Sequence, residues 1–300
     1  MDMNKWIRAF RVRTLPLAIS SILMGVFVAF QMGFARWDIM ILAILTTLFL
    51  QILSNLANDY GDFTKGTDNE NRLGPERSMQ SGSITKKSMK RAIVLFVLLS
   101  LFSGVSLVLL SFGIENRFKV LLFIAVGILA ILAAIRYTMG KRAYGYSGWG
   151  DLYVFMFFGW VAVLGSYYLI SLNFDLNVIL PATTMGLFST AILNLNNLRD
   201  HKNDKASGKV TIVVKMSFHK ARYYHISLLF FGWFCFILFL YLNNSPLIVY
   251  LVLLALPFFI RNGWIVLSEK DERKLDPELK KLALSITLFT LLYGLGLFLL

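Results

Sequence analysis

Nine long apolar stretches run through this 300-residue chain, and they constrain its fold more than any other feature. Most are about 18 to 23 residues long, which is enough for a helix to cross a hydrocarbon core of roughly 30 Å. Because 57% of the residues are hydrophobic and only 16% are charged, the chain lacks the polar surface of a soluble domain of this length. We therefore predict an all-α integral membrane protein, a single domain over residues 1–300, with nine transmembrane helices. The predicted spans are 14–34, 38–57, 89–113, 118–136, 152–172, 177–195, 223–242, 246–267 and 279–300.

The net charge of +13 could indicate a nucleic-acid partner, but the distribution of the basic residues favours another interpretation. With a cytoplasmic amino terminus, 26 of the 30 Lys and Arg residues fall in segments on the inside of the membrane. This asymmetry follows the positive-inside rule, so the basic charge reflects topology and not nucleic acid. We predict a multi-pass protein of the cell (inner) membrane, surrounded by membrane lipid, with its amino terminus and active site on the cytoplasmic side.

Two similar polar motifs follow the second and the sixth predicted span. In both, an Asn and two Asp residues recur at helical spacing, so that their side chains share one face of a helix. The motifs consist of Asn55, Asp59, Asp62 and Gly66, and of Asn196, Asp200, Asp204 and Gly208. Because four spans separate them, we predict two similar four-helix halves, about 14–136 and 152–267, plus a ninth helix.

The four Asp residues of these motifs are candidates for binding a metal ion. Carboxylates that border hydrocarbon are costly unless they face a polar cavity or a ligand. Their repetition at matched positions makes solvated helix ends the weaker interpretation. Carboxylate oxygens suit Mg²⁺, which bridges a few protein ligands to substrate phosphates. The scattered histidines and the single Cys235 form no competing site for a transition metal.

Basic residues are interleaved with these motifs and could bind diphosphate oxygens. They are Lys65, Arg72, Arg77, Arg199, Lys202, Lys205 and Lys209. Topology alone explains most of them, so we expect only a subset to be functional. The loop 64–86 is longer than a connector needs to be. We predict a lid that keeps water from a reactive intermediate, and a flexible solvated loop is the alternative.

Aromatic residues accumulate between the fourth and the fifth span. Tyr137-x-x-x-Lys141 adds a phenol and an ammonium group to the cytoplasmic face. Tyr144, Tyr146 and Trp149 follow, either as an interfacial aromatic belt or as a cavity lining that stabilises positive charge. Both interpretations stay open, as does the question whether Arg261 in the eighth span reaches the interface or faces the cavity.

In combination these residues resemble the UbiA superfamily of intramembrane aromatic prenyltransferases, over nearly the whole chain. The most similar branch acts on 1,4-dihydroxy-2-naphthoate in menaquinone synthesis. The resemblance is carried by Arg13-Thr-Leu-Pro-Leu17, Ser54-Asn-Leu-Ala-Asn-Asp-Tyr-Gly-Asp62, Gly74-Pro-Glu-Arg-Ser-Met-Gln80, Asn196-Asn-Leu-Arg-Asp200, and Asp151 with Phe157-Phe158-Gly159. The chain departs from the wider superfamily at Gly66, where an Asp is common. Asp68 stands two residues later, which leaves its role as a ligand open.

The resemblance implies nine helices around a central cavity that opens to the cytoplasm and laterally to lipid. It implies transfer from polyprenyl diphosphate to 1,4-dihydroxy-2-naphthoate, with loss of CO₂ and diphosphate, to give demethylmenaquinol. The metal ligands expected for Mg²⁺ are Asp59, Asp62, Asp200 and Asp204, assisted by Asn55 and Asn196. The same four Asp residues with Tyr137 and Lys141 are the expected catalytic group. The expected substrate-binding residues are Asn55, Asn58, Asn196, Lys65, Arg72, Arg77, Arg199, Lys209, Arg13 and Tyr146.

Three alternatives remain at this stage. A prenyltransferase of the same type could use another acceptor, such as 4-hydroxybenzoate or haem. An ion-coupled transporter would need polar residues at the bilayer midplane with broken helices, whereas these Asp residues lie at helix ends. A CDP-alcohol phosphotransferase would carry a single, closely spaced Asp-rich motif, which the sequence lacks.

Overall fold

The computed structural model describes residues 3–70 and 72–300, and these residues form helices joined by loops, with no β-strand among them. Nine of the helical segments are long and apolar enough to cross a membrane. They are Asn4–Gln31, Trp37–Thr64, Lys86–Phe112, Arg117–Arg136, Gly150–Ser171, Leu176–Ala206, Phe218–Leu242, Leu247–Ser268 and Glu272–Phe298. The prediction of an all-α, multi-pass membrane protein is therefore confirmed.

The α-helices within these segments are numbered in chain order. They are α1 (Met3–Phe10), α2 (Leu15–Gln31), α3 (Trp37–Thr64), α4 (Lys86–Phe112), α5 (Arg117–Arg136), α6 (Gly150–Val154), α7 (Gly165–Ser171), α8 (Ile179–Ala206), α9 (Ile212–Met216), α10 (Phe218–Leu242), α11 (Leu256–Ser268) and α12 (Asp276–Phe298). A π-helical segment, Phe155–Leu164, joins α6 to α7, and a 3₁₀ segment, Leu247–Ala255, leads into α11.

Two helices extend well beyond the spans predicted from hydropathy. The predicted second span ends at residue 57 and the sixth at residue 195, whereas α3 continues to Thr64 and α8 to Ala206. Hydropathy marks only the part of a helix that lies in hydrocarbon, while backbone hydrogen bonding continues through polar residues. Both Asn/Asp motifs consequently lie on rigid helix rather than at its frayed end.

The two motif-bearing helices end in the same way. At the end of α3, Thr67 N–H donates to Asp62 O at 3.0 Å and Gly66 N–H donates to Phe63 O at 3.2 Å. The end of α8 repeats this pattern, since Lys209 N–H donates to Asp204 O at 2.8 Å and Gly208 N–H donates to Lys205 O at 3.3 Å. Both pairs of bonds form a Schellman cap, in which a left-handed residue ends the helix. The glycine that follows each motif is thereby explained.

We expect alanine at either capping glycine to destabilise the protein. Gly66 and Gly208 both have φ +73, and a Cβ at either would meet no atom within 4 Å, so the cost is conformational strain alone. That strain is roughly 1–2 kcal/mol. A Cβ at Gly127 within α5 would also meet no atom within 4 Å, and this glycine has no positive φ. Gly127→Ala should therefore stabilise the protein, because alanine favours helix.

Thermal unfolding in detergent measures all three variants under one condition. Gly66→Ala and Gly208→Ala should unfold at lower temperature than the unsubstituted protein, and Gly127→Ala at the same or a higher temperature. A shift of equal sign for all three would contradict the capping role.

Two hydrophobic clusters hold the helices together. The larger contains Met24, Phe188, Phe236 and Phe289, and it joins α2, α8, α10 and α12. The smaller joins α1, α3, α4 and α5 to the loop that follows α3, with Leu53, Met79 and Ile131 among its buried members. α5 is peripheral, since Val120 and Ile131 are its buried residues. The amino-terminal helix and the loop thus share one core.

A polar network lies between α10, α11 and α12. His225 is hydrogen-bonded to Asn262 Oδ1 at 2.9 Å, and Asn262 Nδ2 donates to Glu278 Oε2 at 3.4 Å. Arg261 is half-exposed and pairs with Glu278 at 3.5 Å. Arg261 does not belong to the cavity lining described below. Of the two alternatives for this residue, the structure excludes the one in which it faces the cavity.

Candidate active site

A cavity of about 880 Å³ lies among α2, α3, α5, α8 and the π-helical segment. Asp59 and Asp62 of α3 and Asp200 and Asp204 of α8 all line it. Their exposed fractions lie between 1% and 6%, which excludes the interpretation of these residues as solvated helix ends. The two motifs therefore contribute to one site.

Tyr146 supports the first motif. Its hydroxyl donates to Asp62 Oδ1 at 2.8 Å and lies 2.6 Å from Thr67 Oγ1, which then donates to the phenol. Burial raises the pKa of Tyr146, and the charge of Asp62 raises it further, so the phenol stays protonated and remains a donor. The ammonium group of Lys65 lies 3.9 Å from the centre of the Tyr146 ring, within the range of a cation–π interaction.

Arg199 is the main partner of the second motif. It is 1% exposed, and its Nε and Nη2 donate to the two oxygens of Asp200 at 2.9 and 2.5 Å. Its Nη2 also donates to Asn196 Oδ1 at 2.9 Å, and its Nη1 contacts Asp276 at the start of α12. Such a bidentate pair fixes the orientation of the carboxylate.

Lys209 brings a positive charge to the same motif from just beyond the end of α8. Its Nζ lies 3.4 Å from Asp204 Oδ1. Burial lowers the pKa of Lys209, but the carboxylates Asp204, Asp62 and Asp200 together outweigh burial and raise the pKa. Because these carboxylates come from both motifs, Lys209 is a charged link between the two halves of the site.

The loop after α3, which the structure describes over residues 65–70 and 72–85, forms part of the cavity wall. Asp68 is buried and pairs with Arg72 at 3.1 Å and Arg77 at 3.7 Å, and all three line the cavity. Burial raises the pKa of Asp68, Asp62 adds to that shift, and Arg72 opposes it. Asn203 of α8 donates to Thr67 O at 3.0 Å. The loop is therefore attached to α8 as well as to α3.

Aromatic rings form another wall of the cavity. The ring centres of Tyr144 and Tyr153 are 4.0 Å apart at an interplanar angle of 21°, and Phe157 stacks on Tyr153 at 6.3 Å. Tyr137 meets Tyr144 edge-on at 5.3 Å. Burial raises the pKa of Tyr137, so this phenol stays neutral. Of Tyr144, Tyr146 and Trp149, only Tyr144 belongs to this wall. Tyr146 and Trp149 are not part of the described cavity lining, and Trp149 is 56% exposed.

The remaining predicted residues divide into two groups. Asn58, Asn196 and Arg13 line the cavity, whereas Lys141 is exposed and lies outside its described lining. Asn55 also lines it, but its amide donates to Phe10 O and Thr14 Oγ1, both at 2.9 Å, and its Oδ1 accepts from Gln51. A direct contact of Asn55 or Lys141 with metal or substrate stays a prediction.

Sequence reasoning missed two residues of the site. Arg11 lines the cavity beside the first motif, whereas the sequence predicts only Arg13 of this segment as a substrate-binding residue. Asp276 is the second acidic partner of Arg199, from which it is separated by 77 positions in the chain. No local pattern signals either role, since both depend on contacts between distant helices.

The donor atoms present fit a divalent cation. Asp59 Oδ1 and Asp204 Oδ2 are buried without a hydrogen-bond partner, and an unpaired carboxylate oxygen in such surroundings is costly. A divalent cation bound in the cavity would offer such oxygens a partner. Across residues 3–70 and 72–300, no three His, Cys, Asp or Glu side chains are already grouped as a complete metal site.

The fold and the paired carboxylate motifs define a class of membrane enzyme. The amino-acid sequence matches the UbiA prenyltransferase family over residues 18–297, and the chain therefore belongs to that family. This result confirms the family that the motifs resemble.

The similar sequences narrow the class further. The chain is 43% identical over 294 residues to 1,4-dihydroxy-2-naphthoate octaprenyltransferase of Escherichia coli (strain K12), which covers 98% of this chain and 95% of that protein. The protein of the same name from Haemophilus influenzae is 39% identical over 297 residues, with 98% and 96% covered. The chain is thus an aromatic prenyltransferase.

Solved structures share the fold at low sequence identity. A UbiA homolog from Archaeoglobus fulgidus, bound to DMAPP and Mg²⁺, superimposes with a TM-score of 0.60 at 15% identity, covering 96% of this chain and 99% of that chain. A structure described for digeranylgeranylglyceryl phosphate synthase gives a TM-score of 0.58 at 17% identity, with 99% of both chains covered. These similarities establish the architecture.

Proposed function

We propose that this enzyme transfers a polyprenyl group from polyprenyl diphosphate to 1,4-dihydroxy-2-naphthoate. The products are diphosphate, CO₂ and demethylmenaquinol, an intermediate of menaquinone synthesis. The observation that carries the proposal is one cavity that joins four buried carboxylates to a wall of aromatic rings. The acceptor is supported by the naphthoate octaprenyltransferases that are 43% and 39% identical to the chain.

Mg²⁺ would be held by Asp59, Asp62, Asp200 and Asp204, and it supplies positive charge to the departing diphosphate. The Mg²⁺ bound in the A. fulgidus homolog supports the presence of a divalent metal. Arg199 orients two residues of the second motif, Asp200 and Asn196, by donating hydrogen bonds to their side-chain oxygens. Asn196 therefore assists by positioning, with its oxygen shared with the guanidinium.

The basic residues of the site neutralise the diphosphate as its C–O bond breaks. Arg72 and Arg77 extend from the loop, and Lys209 extends from the end of α8. Donors aimed at the position where negative charge develops lower the barrier, because they need no reorganisation during the reaction. Tyr146 acts indirectly: it orients Asp62 through a hydrogen bond and lies outside the described cavity lining.

The aromatic wall stabilises the allylic cation, the other product of cleavage of the C–O bond. The rings of Tyr144, Tyr153 and Phe157 present π-faces that stabilise positive charge on the allylic carbon. The naphthoate ring carbon that bears the carboxylate attacks this carbon. The electrons of the C–CO₂ bond then return to the ring, so no external base is required. The loop 65–85 acts as the lid that excludes water from this step.

The prenyl tail occupies the apolar part of the cavity towards α5. This helix lines the cavity over several residues but buries only two of its own, so the tail reaches lipid on that side. The apolar lining there includes Leu101, Val105, Val108, Ile124, Gly127 and Ile131. We place the amino terminus and the polar mouth on the cytoplasmic side of the inner membrane, following the positive-inside distribution of Lys and Arg.

The two similar halves are part of the same proposal. α3 and α8 are both 28 residues long, and both end in a Schellman cap at the residue four positions after the second Asp of their motif. A duplication that brings equivalent ends of two helices to one interface produces a composite site of this kind.

Membranes that contain the protein test the proposed reaction directly. They receive Mg²⁺, a polyprenyl diphosphate and equal amounts of 1,4-dihydroxy-2-naphthoate and 4-hydroxybenzoate. We expect the naphthoate to be prenylated, with CO₂ released in a 1:1 ratio to product when the carboxyl carbon is labelled. Membranes with Asp59→Ala are the control. Prenylation of 4-hydroxybenzoate alone would disprove the acceptor, and no prenylation of either would disprove the reaction.

A further inference from the structure

The backbone between α1 and α2 turns sharply at Arg11. This residue has φ 49 and ψ 56, the left-handed conformation. A residue with a Cβ adopts it at a cost of roughly 1–2 kcal/mol, and such strain persists only where the surroundings impose it. We call residues 10–14, which contain this turn and the 3₁₀ segment after it, the amino-terminal elbow.

Hydrogen bonds from α3 hold the elbow in place. Asn55 Nδ2 donates to Phe10 O and to Thr14 Oγ1, both at 2.9 Å. Within the elbow, Thr14 Oγ1 donates to Arg11 O at 2.9 Å, and Thr14 N–H donates to the same oxygen at 2.8 Å. Gln51 Nε2 approaches Thr14 Oγ1 at 3.3 Å. The side chain of Asn55 is therefore the anchor of a strained turn.

The guanidinium of Arg11 lies at the first carboxylate motif. Arg11 lines the cavity, and its charge interacts with Asp59, Asp62 and Asp68. Its Nη2 is enclosed and has no hydrogen-bond partner. A buried guanidinium donor without an acceptor is costly, and the strain of the elbow adds to that cost. Both features are explained if a ligand supplies the missing acceptor.

We infer that Arg11 binds an oxygen of the prenyl diphosphate, and that Asn55 positions Arg11 instead of binding the metal; the inference rests on the proposed prenyl diphosphate substrate. The diphosphate is favoured over the acceptor carboxylate because Arg11 lies beside the carboxylates assigned to the metal, where the diphosphate must bind. Arg72 lines the same cavity as Arg11, and two guanidinium groups in one site suit an anionic diphosphate.

The role of Arg11 is tested with a prenyl thiolodiphosphate, an unreactive analogue of the substrate. Its binding to the purified 300-residue chain is measured in the presence of Mg²⁺. We expect Arg11→Met to weaken binding by about 10-fold or more, and the KM for the acceptor to change by less than about twofold. Arg11→Gly should give the same loss but unfold at a higher temperature than Arg11→Met, because glycine adopts the left-handed conformation without strain. Lys5→Met, in the preceding helix α1 and outside the cavity lining, is the matched control.

The outcomes separate this inference from the proposed function. If the unsubstituted protein does not bind the analogue, the proposed function fails. If it binds the analogue and both Arg11 variants bind equally well, the inference fails. A rise confined to the acceptor KM would assign Arg11 to the carboxylate instead and would also overturn the inference.

Asn55→Asp tests whether Asn55 positions Arg11 instead of binding the metal. Aspartate cannot donate to Phe10 O, so the elbow loses its anchor, whereas an additional carboxylate would improve metal binding. We expect Asn55→Asp to weaken analogue binding about as much as Arg11→Met, with little further loss in the double variant, because both act through one contact. Normal analogue binding with a lower Mg²⁺ requirement would instead make Asn55 a metal ligand.

Discussion

We expect Asp59→Ala and Asp200→Ala to abolish prenyl transfer, while the protein still inserts into the membrane. Each substitution removes one of the four buried carboxylates from the cavity that joins the two motifs. Because the proposed reaction places the departing diphosphate at these carboxylates, we expect kcat to fall by roughly 10²–10³-fold at least. Prenyl transfer in membranes at saturating Mg²⁺ and both substrates measures the effect.

Asp38→Ala is the matched control for these variants. Asp38 lies at the start of α3, about 30 Å along the helix from Asp59, and forms an exposed pair with Arg36. It should retain full activity at equal membrane content. Full activity of Asp59→Ala or Asp200→Ala would mean that the carboxylates have no part in the reaction.

We expect Arg199→Met to destabilise the protein more than the loss of an exposed ion pair does. Asp200 is 5% exposed and loses the guanidinium that neutralises both its oxygens, so a buried charge is left unpaired. Breaking such a pair costs about 3–5 kcal/mol. Chemical unfolding in detergent should show a fall in the free energy of unfolding of this size, together with a loss of prenyl transfer, because Asp200 and Asn196 lose their orientation.

Two further variants isolate the cause. Asp200→Asn in the Arg199→Met background should restore part of the free energy of unfolding, since it removes the unpaired charge. Arg36→Met breaks an exposed pair at 2.7 Å and should cost no more than about 1 kcal/mol. An Arg199→Met variant as stable as Arg36→Met would show that the buried pair contributes nothing to folding.

The predicted positions of the motif residues agree with the structure where one helix carries the whole signal, and their roles in the reaction stay predictions. Asp59 and Asp62 are three positions apart on α3, and Asp200 and Asp204 are four positions apart on α8, so helical periodicity alone places each pair on one face. Their joint position in one cavity was expected from the repeat and is observed. The glycine after each motif also had a local cause, because helix caps are formed by consecutive residues.

The predictions were incomplete where the signal is spread over distant parts of the chain. Arg199 pairs with Asp276 across 77 positions, and Asn55 reaches back 45 positions to Phe10. Neither contact follows from spacing, since it depends on how α3 packs on the amino-terminal elbow and α8 on α12. The left-handed turn at Arg11 is hidden for a similar reason: a residue other than glycine carries it, so no sequence signal marks it.

The sequence by itself determined that the chain spans a membrane as helices and that two helices carry matched carboxylate motifs. Hydrocarbon requires every backbone group to be bonded within its own segment, and this requirement acts on each stretch separately. The tertiary structure alone decided which charges around the motifs are neutralised and which donors stay free. Ion pairs such as Arg199 with Asp200 and Asp276, and the unpartnered Nη2 of Arg11, exist only after the helices pack. Charge interactions act through space, and only the folded chain sets those distances.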